Sequence, residues 1–176
     1  LSDASDFSPR VRLDELQTPA GIIHVVRDDL LQGGTKQRAA IPFLLQLKAQ
    51  GFDEFVYASP FSGFAQIALA AACEAIGAEC TVFAERDQNS EATQPHEFSR
   101  LAESRGASLE LTESLDEADR LALTYADASS RRFKIPLGFD CPEFRTELKN
   151  KVAEQWQHLC RELGRAPHRI WLPLGS

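Results

Sequence analysis

The stretch "EFVYASPFSGFAQIALAAACEAIGAECTVFAE", residues 54–85, reads as strand, helix, strand. Its ends, EFVYA (54–58) and ECTVFAE (79–85), are short apolar runs carrying aromatic and β-branched residues, as strands do. Between them, GFAQIALAAACEAIG (63–77) is Ala-rich, and Gly77 stands where a helix would stop. A connection that holds a helix is too long for a hairpin. The two strands should therefore lie parallel in one sheet, joined by a right-handed crossover. The small side chains imply that this helix sits close against the sheet.

Outward from this unit the alternation continues. Upstream, GIIHVV (21–26) reads as a strand, and Thr35 to Gln50 as a helix with Ala40, Phe43, Leu44 and Leu47 at helical spacing and Gly51 as its stop. Downstream come a helix near 95–105, a strand at 108–112, a polar helix from Leu115 to Ala128 and the run RRFKIPLG (131–138). A long helix from Glu143 to Leu163 and a last strand, RIWLPL (169–174), close the chain. Residues 1–20 are polar with Pro9 and Pro19 and read as an extended lead-in to an α/β region over 21–176. The expected fold class is α/β, an open, largely parallel sheet with flanking helices. In such sheets ligands bind beyond the carboxyl ends of the strands. That singles out the loops at 27–35, 59–63, 86–94 and 137–142 and whatever follows Leu174.

Composition bounds the partners. The 176 residues are 43% hydrophobic and 26% charged, as in ordinary soluble domains. No apolar run approaches the roughly 20 residues of a membrane span. A net charge of −7 argues against a broad footprint on a nucleic-acid backbone, and Arg131, Arg132 and Lys134 read as a solvated edge. Cys73, Cys80, Cys141 and Cys160 lack Cys-x-x-Cys spacing and histidines at zinc-ligand distance, so no metal site is expected and the thiols read as reduced and cytoplasmic. His24, His96, His158 and His168 share no evident face and read as structural or solvated, and Trp156 and Trp171 as core or packing residues. The chain has no methionine and ends on an apolar run, which reads as a fragment.

Chemistry concentrates in VVRDDLLQGGTK (25–36), where two acids and a Gly pair precede a lysine at a helix start. Gly33, Gly34 and Thr35 could hold an anion with backbone N–H groups, and so could Ser59, Ser62 and Gly63 before the next helix. Neither is specific alone, and a turn of this kind before a helix is more often plain turn chemistry. Lys36 is held in a defined direction, as a nucleophile toward an aldehyde must be, although a solvated surface lysine fits the spacing too. The same loop superficially matches the Asp-Asp ribose and phosphate loop of phosphoribosyltransferases. Arg27, a loop one residue short and Gln32 in place of a hydroxyl residue speak against that transferase.

Together these segments resemble the fold type II pyridoxal-phosphate enzymes, the tryptophan-synthase-β-like fold. Similarity is greatest to the 1-aminocyclopropane-1-carboxylate deaminase and D-cysteine desulfhydrase branch. Arg27-Asp28-Asp29 and Gly33-Gly34-Thr35-Lys36 match that branch's acidic stretch and Gly-Gly-Asn-Lys. IPLGFDCPEF (135–144) matches its Ile-Pro-x-Gly segment, and WLPLGS (171–176) the strand entering its phosphate loop. The likeness runs over residues 20–176. It implies pyridoxal 5'-phosphate held by Lys36 as an imine, with Thr35, Phe64, Gly175 and Ser176 beside the cofactor. The substrate carboxylate would fall to Ser59, Ser62 and Gly63, and Asp28 and Asp29 would fix the lysine loop. The substrate would be an amino acid or similar small molecule, changed at its α-carbon by a lyase, deaminase or decarboxylase type of reaction. The resemblance also implies a small lobe near 54–130, an incomplete large lobe holding parts of 21–50 and 131–176, C-terminal truncation, and pairing into homodimers. Two departures stand out: the family's cofactor-binding Asn falls on Phe64, and the Asn of Gly-Gly-Asn-Lys on Thr35. The first favours a catalytically inactive binding module. A phage-associated branch linked to amino-acid-modified thymine is a further likeness, and only that branch implies a nucleic-acid partner.

Overall fold

The computed structural model describes residues 11–31, 33–87 and 95–172. The chain opens with a hairpin, β1 (Leu13–Thr18) and β2 (Gly21–Val26), paired antiparallel. Two 3-10 turns, Asp28–Leu30 and Gly34–Lys36, lead into α1 (Gln37–Ala49). Then follow β3 (Glu54–Ser59), α2 (Ala65–Ile76), β4 (Glu79–Glu85), α3 (Glu97–Ser104) and β5 (Ser108–Thr112). After α4 (Leu115–Asp127) come β6 (Arg132–Ile135), a 3-10 turn at Leu137–Phe139 and α5 (Pro142–Glu162).

β3 to β6 form one parallel sheet in the order β5-β4-β3-β6. All six residues of β3 are buried, as expected of a central strand covered on both faces. Alternate side chains feed two cores. Phe55, Tyr57, Val82 and Ala84 join α1, α2, Ala102 of α3 and Phe144 of α5 on one side. Val56, Ala58 and Phe83 meet Ala118, Ala122 and Ala126 of α4 on the other. α2 ends at Gly77, whose φ of 62° lies in the left-handed region that closes helices. From β3 the chain steps to β4 and β5, then crosses back over β4 and β3 to β6. The direction of winding therefore reverses between β3 and β6, the point beyond whose strand ends open α/β sheets bind ligands.

The flanks differ from expectation. Part of the supposed lead-in is a strand: a tight turn at Pro19-Ala20, with Thr18 Oγ1 donating to the Gly21 carbonyl at 2.7 Å, folds β1 onto β2. Local pairing thus takes β2 out of the parallel sheet. At the other end, the described part of the expected last strand (169–172) is not a strand, because no ladder receives it. Ile170, Trp171 and Leu172 stand 60%, 69% and 75% exposed. Trp156 is 37% exposed, since α5 buries only Phe144, so neither tryptophan is a core residue. The edge at Arg131, Arg132 and Lys134 is paired rather than merely solvated: Asp53, Glu54 and Asp119 take the three cations.

Candidate active site

Lys36 ends the second 3-10 turn, is half-buried and leads directly into α1. Three anchors fix its loop. At Gly33 a β-carbon would lie 2.5 Å from Cα and 2.8 Å from Cβ of Ala68, so only glycine lets the loop lie on α2. The Gly33 N–H donates to Gln37 Oε1 at 2.9 Å. The second anchor is an ion pair: Arg38, only 1% exposed, donates through Nε to both Asp28 oxygens at 3.1 and 3.2 Å and through Nη2 as well. The third is Arg27, which donates to Asp29 at 2.8 and 2.7 Å and also bonds Asp14 of β1. Its hydrogen bonds hold the Asp29 carboxyl below the ordinary aspartate value. Asp28 and Asp29 are therefore engaged by arginines within the loop's own scaffold.

Gly34 has a φ of +60°, and a β-carbon there would come within 3.3 Å of the Phe64 ring. The loop after β3 thereby meets the lysine loop. Within that second loop, Ser59 is fully buried and its Oγ donates to the Pro60 carbonyl at 3.0 Å. A β-carbon on Gly63 would sit 2.5 Å from that Oγ. The Gly63 N–H donates to Pro60 O at 2.9 Å, and buried Gln66 donates through Nε2 to the Gly63 carbonyl at 2.8 Å. In this arrangement Ser59 and the Gly63 amide shape the turn, while Ser62 is exposed at the start of α2. Thr35 is exposed beside Lys36, and Phe64 is 42% exposed. Gly175 and Ser176 lie outside the described residues.

Beside β3, pairing with β6 stops at Tyr57 and Ile135. The Gly138 N–H donates to Tyr57 Oη at 3.1 Å, tying the loop after β6 to the strand end. Burial pushes the Tyr57 hydroxyl above its ordinary value, partly offset by that hydrogen bond. Phe139 is fully buried with a φ of 63°, a backbone state bulky residues avoid. Its ring is clamped among Phe43, Tyr57 and Phe144. Arg38, Tyr57 and Phe139 were not singled out from sequence. Only Arg38 carried a signal: a cation at helical spacing with Ile41, downstream of two acids.

At the opposite end of β3, Glu54 accepts from Arg132 Nε at 2.6 Å and Thr81 Oγ1 at 2.9 Å, and Arg132 lies over the Tyr125 ring at 3.7 Å. That cluster closes the base of the sheet away from the loops. Among the described residues, no group of three or more His, Cys, Asp or Glu is placed to hold a metal ion, and no helix is long and apolar enough to cross a membrane.

No family model and no curated protein matches the chain. Solved structures do. Diaminopropionate ammonia lyase from Escherichia coli, in apo form, superposes with a TM-score of 0.68 at 16% identity, over 93% of this chain and 53% of that one. The O-acetylserine-dependent cystathionine β-synthase from Helicobacter pylori gives 0.63 at 16% identity, over 93% and 54%. O-Ureido-L-serine synthase gives 0.63 at 21% identity, over 90% and 52%. The chain thus has the fold of the fold type II pyridoxal-phosphate enzymes and spans about half the length of these relatives.

Proposed function

We propose that this chain is the lysine-bearing part of a pyridoxal-phosphate-dependent enzyme that acts at the α-carbon of an amino acid, in a lyase or deaminase type of reaction. The observation that carries the reading is the lysine loop. A half-buried amine stands at a helix start, on a glycine floor with no room for a β-carbon, and buried Arg38 fixes the segment leading to it. These residues fit the aldehyde and ring end of the cofactor: Lys36 supplies the amine, and the exposed Phe64 ring over Gly34 supplies a flat apolar wall. Gly175 and Ser176 are assigned to the phosphate end on resemblance alone. When bound, the cofactor supplies an electron sink for a bond broken at the α-carbon. Lys36 Nζ would hold its aldehyde carbon and, as a free amine, carry a proton to or from the substrate's α-carbon. Ser62 Oγ and the start of α2 would hold the substrate carboxylate, with Ser59 and Gly63 keeping that turn in shape.

A second reading, a binding module that kept the fold without catalysis, is favoured by Phe64, which has no hydrogen bond to offer a cofactor. One experiment separates the two. The chain is mixed with pyridoxal 5'-phosphate, reduced with borohydride, and the labelled peptide identified by mass. The label should fall on Lys36 and vanish in Lys36→Ala. It should survive in Lys48→Ala, because Lys48 is engaged with the carbonyls of Ile76 and Gly77. Labelling of Lys36→Ala at the wild-type level would overturn the proposal.

A further inference from the structure

Beside the lysine loop, aromatic rings form a continuous row. Phe61 meets His96 edge-on at 5.8 Å between centroids, His96 meets Phe98 at 4.8 Å, and Phe98 meets Phe64 at 5.1 Å, with interplanar angles of 86°, 77° and 86°. The far end of the row, Phe64, covers Gly34, two positions before Lys36. Such edge-to-face contacts orient each ring by its neighbour. His96 is fixed further, because its Nδ1 accepts the Phe98 N–H at 3.2 Å at the start of α3. The Phe61 backbone is tied to β4, donating its N–H to Glu85 Oε2 at 3.4 Å.

This row is not built as core. Phe43, Phe139 and Phe144, which do form core, are at most 3% exposed, whereas Phe64 is 42% exposed and Phe61, His96 and Phe98 are all partly open. Aligned, partly open rings present both faces and edges to a further ring. The carboxylates bordering the row, Glu85 and exposed Glu97, disfavour an acidic group there.

We propose that the row Phe61–His96–Phe98–Phe64 recognises a flat, uncharged aromatic side chain on the amino-acid substrate, with Phe61 and Phe98 as specificity-determining residues. The inference rests on the reading of Lys36 as the reactive amine, since that places the substrate's α-carbon beside Phe64. An aliphatic side chain would gain burial alone, while a ring also gains oriented ring–ring contact.

Saturation-transfer NMR titration without cofactor tests this with L-phenylalanine, L-leucine and L-alanine. Wild type should bind L-phenylalanine roughly fivefold or more tighter than L-leucine. Phe61→Leu and Phe98→Leu should each erase that preference while leaving L-alanine unchanged. Circular dichroism checks folding, and if Phe98→Leu unfolds, Phe61→Leu decides. Equal binding of L-phenylalanine and L-leucine, or an undiminished preference in Phe61→Leu, overturns the proposal. Label on Lys36 without a phenylalanine preference removes the row's role and leaves the enzyme reading. A preference without label does the reverse.

Discussion

Gly33→Ala puts the lysine loop under a direct steric test. The added β-carbon would lie 2.5 Å from Ala68 Cα and 2.8 Å from Ala68 Cβ. Ordinary carbon contacts fall at about 3.5–4.0 Å, so the two segments must separate by roughly 1 Å or more. α2 cannot retreat, because Ala68, Leu69 and Ala70 are all 0% exposed against the core. The loop must move instead, and Lys36 with it. Overpacking of this kind costs about 1–3 kcal/mol. For a domain of this size that lowers Tm by roughly 2–12 °C. Displacing a reactive group by an ångström can slow its reaction about a hundredfold, so labelling of Lys36 should slow by at least about tenfold. Thermal unfolding by circular dichroism and the time course of borohydride-fixed label measure the two effects. Adding Ala68→Gly removes the 2.8 Å contact but not the one at 2.5 Å, so it should restore only part of either loss. A Gly33→Ala protein that melts and labels like wild type would refute the idea that this close approach positions the amine.

Phe139 offers an inversion of the usual order. Truncation to alanine should cost about 3–5 kcal/mol for the lost ring, but glycine should be no worse than alanine, because its backbone accepts a φ of 63° without strain. Urea midpoints of the two variants decide this, and a glycine variant clearly less stable than the alanine one contradicts the strain. Glu54 gives a pH dependence. Burial by itself would raise its pKa, but hydrogen bonds from Arg132, Thr81 and Tyr125 outweigh burial, and the folded value lies below the ordinary 4.5. Its contribution is therefore complete above about pH 4.5 and is lost as the pH falls through the lower folded value. Glu54→Gln should flatten that part of the acid-unfolding curve, and an unchanged slope would count against the assignment.

The parallel sheet was legible because its signals are local. β4 and β5 fall at 79–85 and 108–112 as read, and β3, α2 and α4 begin or end within about two residues of expectation. The flanks were not legible, since GIIHVV has the same period whether it joins a sheet or folds back on a neighbour. Pairing partners are decided by what else is near, and a polar segment with two prolines hides a strand as short as Leu13–Thr18. At the site, the residue types and order of the lysine loop could be read directly. What could not be read was that Gly33 rests on Ala68, that Phe64 covers Gly34, or that the start of α3 brings His96 to Phe61 and Phe98 to Phe64. Those contacts join positions more than 25 residues apart, and no periodicity encodes them.

The anchors of the lysine loop are unequal, and burial ranks them. A two-stranded ribbon is marginal in water on its own, and this hairpin is apolar on both sides. Leu16 and Val25 share one side and Ile22 and Val26 the other, with exposures of 54%, 37%, 51% and 38%. Arg27 nevertheless links the hairpin to the loop through Asp14 and Asp29, in a pairing whose side chains are 28%, 35% and 60% exposed. The pair inside the fold, Arg38 with Asp28, is 1% and 22% exposed. Solvent screens the first and not the second. Asp14→Ala should therefore loosen the hairpin, seen as faster amide exchange over 13–26, while labelling at Lys36 stays near wild type. Asp28→Asn removes the charged partner of the buried Arg38 guanidinium, a loss that costs about 3 kcal/mol in a buried pair, and it should depress both stability and labelling. If Asp14→Ala instead abolishes labelling and Asp28→Asn spares it, the hairpin rather than α1 positions the amine. The argument from burial would then fail.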